Sequence, residues 1–82
     1  MLDRTFVLQT VADHLGPVLG PTMARSSIDV HCRNLRIEGP RISTDQVEAL
    51  LRKLSLGLAI FIGQEKTAHV LQRIEAALRG TR

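Results

Sequence analysis

The apolar positions of the chain fall into four helical segments, separated by corners rich in glycine and proline. The best marked is the third, predicted over 43–62. Ser43 and Gln46 have the S-x-x-Q spacing of a capping box, and Ile42 and Val47 stand where a hydrophobic staple closes over it. Asp45 adds a negative charge at the positive end of the helix dipole. At about 100° per residue, Val47, Leu50, Leu51, Leu54, Leu58, Phe61 and Ile62 share one face. Ala49, Leu56 and Ile60 form a second apolar line, flanked by Arg52 and Lys53. A helix apolar on two sides is expected to have neighbours on both. Gly57 costs about 1 kcal/mol relative to alanine inside a helix, which the close approach of another helix would justify.

The first helix is predicted over 3–15, with Asp3 as N-cap and Leu2 and Val7 as a staple. Val7, Leu8, Val11, Ala12 and Leu15 share its core stripe, and Phe6 lies off it. Gly16-Pro17 reads as its stop, followed by an apolar connector to Gly20-Pro21. Pro21 then suits the first position of a second helix over 21–36. Ala24, Ile28, Cys32 and Leu35 form one apolar line on it, and Met23, Val30 and Ile37 another. The remaining side carries Arg25, Asp29, Arg33 and Arg36. A turn at Glu38-Gly39-Pro40-Arg41 leads into the third helix.

The fourth helix is predicted over 64–79, with Thr67, Val70, Leu71, Ile74, Ala77 and Leu78 inward and Gly80 as its cap. Gly63 is read as a break between the third and fourth helices, because the two core faces are out of phase. The alternative is one helix of ~37 residues and ~55 Å, sensible only in an oligomer. The fold class expected is all-α: a small four-helix domain packed around the central helix at about 43–62, and dimeric.

Composition narrows the function. Eighty-two residues make one small domain whose core is limited unless a partner helps. Two Phe and no Trp or Tyr leave too few rings for a platform on which bases stack. The apolar run of the third helix falls short of the ~20 residues a membrane span needs. The single cysteine, Cys32, has no intrachain partner, and no signal peptide opens the chain, so a reducing, cytoplasmic setting is expected.

No catalytic motif emerges. The three histidines, His14, His31 and His69, are not spaced i, i+3 or i+4, and no HExxH, C-x-x-C or glycine-rich phosphate loop is present. His31 and Cys32 are adjacent, ~100° apart on a helix, and unsuited to act as a pair. Neither a cofactor nor a metal is expected, and the chain is read as non-enzymatic. The net charge of +3 is interspersed with acids. Arg25, Arg33, Arg36 and Arg41 are the strongest phosphate-binding candidates, on an alternative reading as a nucleic-acid accessory protein. The expectation preferred is a non-catalytic protein–protein interaction module that forms a homodimer. Its candidate interface is Ala49, Leu56 and Ile60, with Arg52 and Lys53 at the rim.

Overall fold

A computed structural model describes residues 2–80. It contains four helices, α1 (Arg4–Leu19), α2 (Pro21–Asn34), α3 (Thr44–Ile62) and α4 (Gln64–Arg79). Two very short strands, β1 (Leu2–Asp3) and β2 (Arg41–Ile42), pair antiparallel with Leu2 opposite Ile42 and Asp3 opposite Arg41. This pairing, with the Arg4 N–H donating to Pro40 O at 3.0 Å and Arg4 Nη1 to Gly39 O at 2.8 Å, fastens the start of α1 to the α2–α3 connection.

The predicted caps form. Asp3 accepts from the Phe6 N–H. At the head of α3, Ser43 Oγ accepts from the Gln46 N–H at 3.1 Å while Gln46 Oε1 accepts from the Ser43 N–H at 2.9 Å, so both donors of the box are satisfied.

The first helix differs from expectation. Gly16-Pro17 does not end it, and α1 continues to Leu19. Pro17 cannot donate to the carbonyl of Asp13, but both residues lie on the exposed side, where water can take the bond. Continuing the helix packs Val18 and Leu19 against the core. The chain then turns on one residue: Gly20 caps α1 and opens α2, at φ 89° and ψ 148°. Gly63 does the same between α3 and α4, at φ 88° and ψ 161°. This region of backbone space is essentially reserved for glycine. The break predicted at Gly63 is therefore present, and the longest dimension of the described chain, 31 Å, leaves no room for a ~55 Å helix.

The second helix ends at Asn34, short of the predicted 36, in a Schellman motif. The Ile37 N–H donates to Cys32 O at 2.8 Å and the Arg36 N–H to Arg33 O at 3.2 Å. Arg36 takes the left-handed position at φ 56°, where glycine is usual. The motif folds Ile37 back over Cys32, and both are buried. Ile37 thus belongs to the core and not to a second line with Met23 and Val30.

The core runs through all four helices. Val7, Val11 and Leu15 of α1 are fully buried, as are Ile42, Leu50 and Ile74. The third helix supplies five core residues, Val47, Leu50, Leu51, Leu54 and Leu58, more than any other. The helices nonetheless close as a ring, α1 against α2 and α4, and α3 against α2 and α4. In place of a chain wrapped around α3, the fold covers one side of that helix and leaves the reverse outside.

Candidate interaction surface

The reverse side of α3 faces outward. Leu56 is 64% exposed and Ile60 88%, with Arg52 and Lys53 exposed beside them and Ala49 half-buried. One position expected inside joins them: Phe61, placed by periodicity on the main core stripe, is 61% exposed. Ile62 is half-buried and packs against the core. Phe61 borders an unfilled groove of about 190 Å³ between α2 and α3. Its floor includes Leu54 and Leu58, and its α3 edge carries Gly57 and Phe61. Its α2 edge is the row Met23, Ser27 and His31, four residues apart and so on one side of that helix. Val30, seven residues after Met23, lies on the same flank, and both are about half exposed.

The face is therefore wider than the α3 stripe alone. Of six exposed large hydrophobic residues among the described residues, five lie on α2 and α3: Met23, Val30, Leu56, Ile60 and Phe61. The sixth, Phe6, is on α1. Sequence reasoning found the α3 half of this face and missed Met23, Val30, Gly57 and Phe61 as parts of it. The signal for α2 was its second apolar line; nothing local tells that this line borders the same groove as Gly57.

Gly57, like Gly16 in α1, is a glycine inside a helix with no neighbour that requires it. A Cβ built there would meet nothing within 4 Å, so no contact inside the chain requires glycine. Its helix penalty of about 1 kcal/mol goes unrecovered in the isolated fold.

The other candidates disperse. Arg25, Arg33, Arg36 and Arg41 are all exposed. Arg25 shares depressions between α1 and α2 with Asp13 and with Asp29. Arg33 lies eight residues, roughly 12 Å, further along the helix, and Arg36 and Arg41 flank the loop beyond. The four do not converge on one cradle. His14 Nδ1 sits 2.9 Å from Thr10 O, His31 lines the groove, and His69 is exposed on α4. Among the described residues no cluster of three His, Cys, Asp or Glu residues could hold a metal, and no helix is long and apolar enough to cross a membrane. Burial pushes the Cys32 thiol up from its ordinary value; the nearby Arg4 charge opposes the shift and Asp29 adds to it. A thiol so held stays protonated at neutral pH, the opposite of an activated nucleophile.

What the fold and surface define is a small all-α domain with an uncovered apolar face. No family model matches the chain, and neither a curated protein nor a solved structure does.

Proposed function

We propose that this chain is a non-catalytic interaction module that self-associates as a homodimer through the outer face of α3. Ala49, Leu56 and Ile60 form the contact, with Arg52 and Lys53 at its rim. The observation that carries this is the exposure of Leu56 and Ile60 on a well-formed helix whose other side supplies more of the core than any other helix does. The five exposed side chains of α2 and α3, at roughly 200 Å² each when bare, leave on the order of 600 Å² uncovered. That is the upper end of what the largest apolar patch of a monomer reaches, about 300–600 Å². It also approaches the ~800 Å² per partner of a standard interface. The buried Cys32, kept as a thiol, suits a reducing, cytoplasmic setting.

The experiment is size-exclusion chromatography with light scattering over a concentration series. A mass twice the 9.1 kDa of the chain is expected. Leu56→Glu and Ile60→Glu should return it to the monomer with helicity intact, since both side chains face outward. A 9.1 kDa species at every concentration would overturn the proposal.

A further inference from the structure

The same face carries a protrusion and a recess, and their spacing on α3 constrains how two copies meet. Ile60, the most exposed large hydrophobic among the described residues, stands about one turn beyond Gly57, which lines the α2–α3 groove and has no side chain. The two are three residues apart, roughly 4.5 Å along the axis. We infer that the occupant of the groove mouth at Gly57 is Ile60 of a second copy, across a two-fold axis that runs beside α3, perpendicular to it and level with the midpoint of these residues. This rests on the self-association proposed above and adds its geometry and the contribution of α2.

A two-fold axis at that point makes the two α3 helices antiparallel and the contact reciprocal, as closed dimers require. Each Ile60 covers the other copy's Gly57, whose missing side chain lets the helices approach. Leu56 and Phe61, five residues and so about 140° apart around α3, flank this contact on opposite sides. Met23 and Val30 flank the incoming helix from α2, so all five exposed side chains of these two helices lie on the contact face. The groove, at about 190 Å³, exceeds the ~150 Å³ cavity that admits a benzene-sized apolar group.

Charge selects the same orientation. Lys53 is the ionised residue closest to the centre of the face. In the antiparallel arrangement Lys53 and the partner's Lys53 are separated by eleven residues' rise, roughly 16 Å. That exceeds the Debye length of about 10 Å at 0.1 M salt. A parallel arrangement would set the two lysines side by side and leave Gly57 facing Gly57.

The test uses Gly57→Leu and Met23→Asp in the full chain, measured by sedimentation equilibrium beside wild type and Leu56→Glu. Gly57→Leu fills the groove mouth from a position where an added Cβ meets nothing, and Met23→Asp puts a charge on the opposite wall. Each is expected to raise the dimer dissociation constant at least tenfold. The melting temperature of dilute Gly57→Leu protein should not fall, which separates lost docking from lost folding. A dimer broken by Leu56→Glu yet unchanged by Gly57→Leu and Met23→Asp would overturn this geometry while leaving self-association standing. A wild-type chain that stays monomeric would remove both.

Discussion

Truncating Ile60 to alanine separates the stability of the fold from the stability of the assembly. In the isolated chain Ile60 is 88% exposed, so its side chain contributes little to folding. Surface substitutions of this kind usually stay within about 0.5 kcal/mol. Alanine is also the better helix former, which pushes the change toward stabilisation. In the proposed dimer the same side chain is covered. Removing three carbons at about 0.8 kcal/mol each gives ~2 kcal/mol per copy. The two-fold doubles this to ~4 kcal/mol, close to a thousandfold in dissociation constant at 1.4 kcal/mol per decade. Sedimentation equilibrium measures the dissociation constant, and urea unfolding followed by circular dichroism, below that constant, measures the fold. Ile60→Ala should weaken the first by two to three orders and leave the second unmoved. An unchanged dissociation constant would refute the covering of Ile60. A loss of more than about 1 kcal/mol in the dilute chain would place Ile60 inside the fold and contradict its exposure.

Other substitutions address the fold itself. Gly63→Ala forces a side chain into the φ 88° corner between α3 and α4 and should cost about 1–3 kcal/mol, read as a lower urea midpoint. Gly16→Ala, inside α1 with open space around its Cβ position, should instead raise the midpoint by up to about 1 kcal/mol. Arg36→Gly relieves a left-handed arginine in the Schellman motif and should stabilise by about 1 kcal/mol in the same assay. Cys32 prefers its protonated form in the fold, so its contribution is complete below the ordinary thiol value of 9.0 and fades as pH rises through the higher folded value. Alkylation at pH 8 should accordingly be much slower in the native chain than in urea. Equal rates would contradict the burial of Cys32.

Much of this molecule is legible residue by residue, because helix starts and stops depend on groups three to five positions apart. The Ser43–Gln46 box, the Asp3 cap, Pro21 at the head of α2 and the Gly63 corner all involve backbone groups within one turn of the residue that satisfies them. The exceptions arise where a distant contact outweighs a local signal. Gly16-Pro17 is a stop only while nothing rewards going on, and packing of Val18 and Leu19 against the core supplies that reward. Arg36 occupies a glycine's conformation because the turn it permits buries Ile37 against Cys32.

The surface divides in the same way. By itself the sequence determined that α3 has two apolar sides, since periodicity is a property of one helix. Which side acquires neighbours is set by the ring of four helices, which packs α2 and α4 along one flank and leaves Leu56 and Ile60 outside. Phe61 has the phase of a core residue but borders a groove that α2 does not fill. The union of Met23 and Val30 with Gly57, Ile60 and Phe61 into one face exists only in three dimensions. The two α2 residues are 27 to 38 positions from the three of α3, and only the packing of α2 beside α3 places them together.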